Sequence, residues 1–245
     1  MKSLLLHHAR NIMNSDSHKV SRSCTVSHEH GDCFDRLTDE QRKLVEQRQV
    51  MVEFKKGENI ARQGAFTTHV IYLREGLGKV YFERNNERIV LRVAAPGSLI
   101  GLTSLGQTQN IFQYSVSAYV NSVANLIDIR LFRQLIEQNG RFAAAIVDIL
   151  SETAIQKNER FFGLTHRQSY GKLADLLLCL SGNIFKDKRF RLPLSRKDLA
   201  ELAGMSTESV IRTIRRFEED GLIKTSDKTF EIIDMEGLMD ICQHG

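Results

Sequence analysis

The stretch SRKDLAELAGMSTESVIRTIRRFEEDGLIK, residues 195–224, admits few folds. Ser195 can cap a helix, with Asp198 three positions on completing a capping box. Leu199, Leu202 and Ala203 then recur at helical spacing, and Gly204 supplies the permissive backbone of a helix-ending turn. Ser206 caps a second helix in which Val210, Ile214 and Phe217 repeat at i, i+4 and i+7 and face inward. The opposite face carries Thr207, Glu208, Ile211, Arg212 and Arg215. After Gly221, LIKTSDKTFEII reads as two short strands around Asp227 and Lys228. Two helices joined by a three-residue turn and followed by a wing make a winged helix-turn-helix. The second helix of that unit enters the DNA major groove by its N-terminal residues.

Charge alone does not separate this reading from a solvated αα-hairpin, because the stretch carries six Lys/Arg and six Asp/Glu. The ordered caps, turn, inward triplet and wing do. The expected DNA-contacting residues are Arg196, Ser206, Thr207, Glu208, Ser209, Ile211, Arg212 and Arg215, with double-stranded DNA as the partner. Arg215 and Arg196 are placed for phosphate contacts, which weaken all sequences alike when lost.

At 245 residues the chain has room for two ordinary domains. Its 42% apolar and 26% charged content is that of a globular protein, and no apolar run reaches the ~20 residues of a membrane span, so no membrane partner is expected. Four irregularly placed cysteines without a secretory signal imply reduced thiols and a cytoplasmic location. Residues 1–23 lack apolar periodicity, and residues 1–33 read as a flexible tail. Leu37 to Val50 reads as a short helix capped by Thr38. From Met51 the period changes to two, giving about eight β-rich runs punctuated by glycine turns. Residues 34–139 are therefore expected to form a β-roll. Residues 140–163 read as a long helix whose Phe142, Ile146, Ile149 and Thr153 are spaced by four, three and four. That spacing suits a parallel dimer seam, the alternative being an ordinary core helix. Residues 164–245 hold the winged helix-turn-helix. The fold class is α+β: an N-terminal double-stranded β-helix (jelly roll), a long dimerisation helix and a DNA-binding head.

This order, together with FKKGENIARQG, IYLREGLGKVY, PGSLIG and the 195–224 stretch, resembles the CRP/FNR superfamily of bacterial transcription regulators over residues 34–240. The resemblance implies a cyclic-nucleotide-binding-like sensor roll, a homodimer on a palindromic operator, RNA polymerase as a partner, and no enzymatic activity. It also implies base reading by Glu208 and Arg212. An arginine can fork onto guanine O6/N7, and a glutamate can accept from a cytosine amino group. Ile211 stands where the FNR-like branch has a serine.

The effector is less legible. Leu102 occupies the position of the glutamate that holds ribose in cyclic-nucleotide-binding relatives. From Val93 to Ile129 the only charged residue is Asp128. A phosphate desolvated without a cation is costly, so cyclic AMP is not expected unless the long helix supplies one, with Arg160 as a candidate. A four-cysteine iron–sulfur cluster is not expected either, since only Cys24 and Cys33 lie in the N-terminal region. Cys24, His28, His30 and Cys33 form a candidate tetrahedral site for zinc or ferrous iron, with a plain tail as the alternative. Haem is a further candidate, although His69 reads as a loop-edge residue. The expected signal is a small effector, redox state or gas other than cyclic AMP. The competing readings are a cupin-like metalloenzyme with an accessory helix-turn-helix, and a regulator that binds DNA without an effector.

Overall fold

A computed structural model describes residues 31–244, apart from 86 and 107–109. Its contacts divide at residues 157/158 into a roll unit and a C-terminal unit.

The roll unit starts with a 3-10 turn, Gly31–Arg36, and helix α1, Asp39–Arg48. Thr38 caps α1 through a reciprocal box with Gln41. Eight strands follow: β1 (Val50–Phe54), β2 (Asn59–Ala61), β3 (His69–Glu75), β4 (Gly78–Arg84), β5 (Glu87–Ala94), β6 (Leu99–Ile100), β7 (Ser115–Ala118) and β8 (Ser122–Asp128). They form two four-stranded antiparallel sheets, β1-β8-β3-β6 and β2-β7-β4-β5. In β3 the side chains alternate between two cores. Ile71 and Leu73 join Val80, Ile100, Val116 and Ala124 in the roll interior, while Val70 packs outward with Leu99 and Ile127 beneath the helices.

Those helices are α2 (Ile129–Gln138), capped by Asp128, and α3 (Gly140–His166). Asn139 accepts from the backbone N–H groups of Arg141 and Phe142 and so caps α3. Phe142, Ile146 and Ile149 are buried in the helix-side core. The Phe142 ring lies 5.3 Å from Phe132 and 6.1 Å from Phe34. The four-three-four spacing of Phe142, Ile146 and Ile149 marks the face of α3 packed into the helix-side core of the roll unit, with Thr153 half-buried. The uncovered face carries Val147, 60% exposed, and Leu150, 37% exposed.

The C-terminal unit holds the rest of α3, then α4 (Ser169–Cys179), a π-helical turn (Leu180–Phe185), β9 (Arg189–Arg191), α5 (Arg196–Ala203), α6 (Thr207–Glu219), β10 (Ile223–Ser226), β11 (Thr229–Ile232) and α7 (Met235–His244). The wing has three strands, β10-β11-β9, one more than the sequence suggested. Cys33 and Cys242 are buried free thiols. Cys179 is completely buried.

Because Phe142 fills a core position, Phe142→Ala is expected to destabilise the roll unit by ~3–5 kcal/mol. Chemical denaturation followed by circular dichroism checks this. A variant as stable as the parent would contradict the core placement.

Candidate nucleic-acid interface

Local chemistry fixes the two helices of the head. Ser195 accepts from the Asp198 N–H while the Asp198 carboxylate accepts from the Ser195 N–H at 2.9 Å. Gly204 ends α5 with φ +62°, and a Cβ there would stand 2.8 Å from a Leu164 methyl carbon. The left-handed backbone therefore favours glycine, whereas the leucine methyl could shift to admit a Cβ. Ser206 caps α6 by accepting from the Ser209 N–H at 3.1 Å. Val210, Thr213, Ile214 and Phe217 are buried. Thr213 is the inward residue that a search for apolar spacing passes over.

On the other face, Ser206, Thr207, Glu208, Ile211, Arg212 and Arg215 are exposed and Ser209 is half-buried. The three arginines differ in their commitments. Arg216 pairs along its own helix with Asp220 at 3.0 Å and with Glu219 at 3.9 Å. Arg212 and Arg215 have no ion pair among the described residues. Their charge is available to a polyanion.

Arg196, at the start of α5, is half-buried with its guanidinium 4.8 Å from the Phe230 ring centre. Desolvation lowers its pKa, opposed by the carboxylate of Glu218. Phe230 itself stacks on Phe190, and Phe190 on Phe185, so the wing rests on an aromatic pile. The Glu218 carboxylate accepts from both the N–H and the hydroxyl of Thr225 in β10, at 3.0 and 2.6 Å. One side chain at the end of α6 thus holds the wing. Behind the interface, the buried Asp175 carboxylate on α4 meets Arg167 at 3.0 Å and accepts from the Cys242 thiol of α7 at 3.6 Å. The sequence offered no signal for this pairing, because the partners lie up to 67 residues apart.

Of the candidate metal ligands, Cys24, His28 and His30 lie outside the described residues. Cys33 is buried beside Phe34, and its thiol pKa is pushed up to about 12, first by desolvation and then by Asp32. Among the described residues no group of three or more His, Cys, Asp or Glu is placed to hold a metal. Leu102 is buried, and the N–H of Gly101 beside it donates to the Tyr114 hydroxyl at 3.3 Å. Arg160 donates to the Leu202 carbonyl within the C-terminal unit.

Residues 51–139 match the cyclic nucleotide-binding domain family, and residues 171–241 match the Crp-like helix-turn-helix domain family. The chain belongs to the CRP/FNR family. It is 26% identical over 192 residues to the transcriptional activator protein FnrA of Stutzerimonas stutzeri, covering 75% of this chain and 77% of that one. Against the nitrogen fixation regulation protein FixK of Rhizobium meliloti the identity is 22%, over 79% of this chain and 87% of the relative. The fold matches FixK2 from Bradyrhizobium japonicum with TM-score 0.73 at 14% identity, over 79% of this chain and 96% of that one. It matches a CooA mutant from Carboxydothermus hydrogenoformans with TM-score 0.71 at 14% identity, over 91% and 99%. This CRP/FNR protein is a DNA-binding transcription regulator and not an enzyme, which removes the cupin-like metalloenzyme reading.

Removing one partner of a buried ion pair leaves the other uncompensated. Asp175→Ala is therefore expected to cost ~3–5 kcal/mol and to lower the unfolding midpoint of the DNA-binding head. Calorimetry of the full chain measures it, and an unchanged midpoint would show that the pair contributes nothing to the head.

Proposed function

We propose that this regulator binds a palindromic operator as a homodimer, in the cytoplasm and alongside RNA polymerase, with its recognition helix reading bases through Glu208 and Arg212. The observation that carries the reading is the exposed, unpaired state of Arg212 and Arg215 on a helix whose other face is closed by Val210, Thr213, Ile214 and Phe217. Arg212 takes a guanine edge, Arg215 takes phosphate, and Arg196 takes phosphate through the edge of a guanidinium whose face lies over Phe230. The curated relatives are anaerobic, electron-transport and nitrogen-fixation regulators by name, which favours a signal other than cyclic AMP. Leu102 in place of a ribose-binding carboxylate agrees.

The dimer seam is assigned to the uncovered stripe of α3, where Val147, Leu150 and Ala154 recur at three and four residues and are exposed. Two-fold symmetry then sets the two recognition helices about 34 Å apart, one DNA turn.

Arg212→Ala is expected to flatten discrimination at one G·C pair per half-site, a loss of ~1–3 kcal/mol. Arg215→Ala is expected to weaken all sequences alike and to reduce the salt slope by about one. Selection on randomised half-sites at two salt concentrations tells them apart. Full preference retained by Arg212→Ala would remove α6 from the groove.

Val147→Glu with Leu150→Glu is expected to yield a folded monomer with reduced operator affinity. Sedimentation and circular dichroism test it, and a dimer that persists would move the seam elsewhere.

A further inference from the structure

The α6 helix carries four apolar side chains, and three of them, Val210, Ile214 and Phe217, are buried beneath it. The fourth, Ile211, is 53% exposed. A single exposed isoleucine means little by itself. This one stands in the middle of the side of α6 that the head leaves open. Thr207, Ile211 and Arg215 follow one another at four-residue spacing along one ridge, and Glu208 and Arg212 form the ridge beside it. All five are exposed. The polar residues around them are committed to the protein itself. The Ser206 hydroxyl donates to that of Ser209 at 3.0 Å within the cap, and Arg216 pairs with Asp220.

An isoleucine has nothing to offer a hydrogen-bonding surface. The major-groove edges of the base pairs present donors and acceptors, and thymine alone adds an apolar group, its 5-methyl. Pressed onto a polar edge, Ile211 strips water from it and returns no hydrogen bond, which is costly. Pressed onto a methyl, it removes apolar surface from water on both sides. The β-branch holds χ1 of a helical isoleucine largely to one rotamer, so contact forfeits little side-chain freedom. Attraction to one base joined to a desolvation cost at the others is specificity without a hydrogen bond.

We propose that Ile211 is a specificity-determining residue that reads the 5-methyl group of a thymine beside the guanine taken by Arg212. The proposal rests on α6 being the recognition helix. Glu208 and Arg212 both address G·C pairs in that reading, and Ile211 adds discrimination at a T·A pair.

The test uses the full-length protein and the half-site that its own selection on randomised DNA returns. Symmetric duplexes are made in which each thymine of the half-site, one position at a time, is replaced by deoxyuridine. Uracil keeps every hydrogen-bonding group of thymine and lacks only the methyl. Titrations are run on the parent, on Ile211→Val and on Ile211→Ser, with circular dichroism as the check of folding. The parent is expected to bind about three- to fivefold more weakly per half-site when one particular thymine loses its methyl, the size of one buried methyl group. Ile211→Val is expected to keep most of that loss, and Ile211→Ser to show none. A half-site with no preferred thymine, unchanged parent affinity at every deoxyuridine position, or an equal loss in Ile211→Ser overturns the assignment. Arg212→Ala, selected on the same randomised half-sites, separates the two claims. If it flattens a G·C pair while the methyl effect is absent, α6 lies in the groove and only the role of Ile211 falls. If neither effect is found, the recognition-helix reading falls with it.

Discussion

The packing of Phe142 against Phe132 and Phe34 sets the rotational phase of α3, and much else in the chain depends on that phase. Once these rings are buried together, Ile146 and Ile149 must follow them onto the roll. Val147 and Leu150 are then carried to the opposite side, with 100° of helical turn between neighbouring residues. A single aromatic cluster near the start of the helix thus decides which residues of this part of α3 are core and which are exposed.

The parts of the fold that were legible in the sequence are those written in local chemistry. The box of Ser195 and Asp198, the left-handed Gly204 and the cap at Ser206 each act within four residues, so the helix-turn-helix could be read directly. Thr38 before α1 and the strand pair around Asp227 belong to the same class, Asp227 having φ +53° at the turn. Period-two runs with glycine turns gave the roll for a related reason, since alternation reports burial on each face of a strand.

What stayed hidden depends on residues distant in the chain. Strand β9 is three residues long, and it is a strand only because Phe190 meets Phe230 across the ladder. Apolar spacing says that a stripe is buried but not by what, and on α3 Phe142, Ile146 and Ile149 pack in the roll unit's own core while Val147 and Leu150 are exposed. Arg196 looked like a free cation, whereas its guanidinium lies over an aromatic ring supplied by the wing. In each case the local pattern was read correctly and the partner was supplied from elsewhere.

The two bonds from Thr225 to Glu218 carry a consequence for the DNA itself. A carboxylate on the last turn of the recognition helix holds the first strand of the wing, and the aromatic pile under Phe230 supports it from below. The reading head therefore behaves as a caliper with a fixed opening. A rigid gauge leaves adjustment to the duplex, and the energy of that adjustment varies with base-step stiffness and groove width. Operators whose unbound shape already suits the gauge gain affinity at base pairs that no side chain touches.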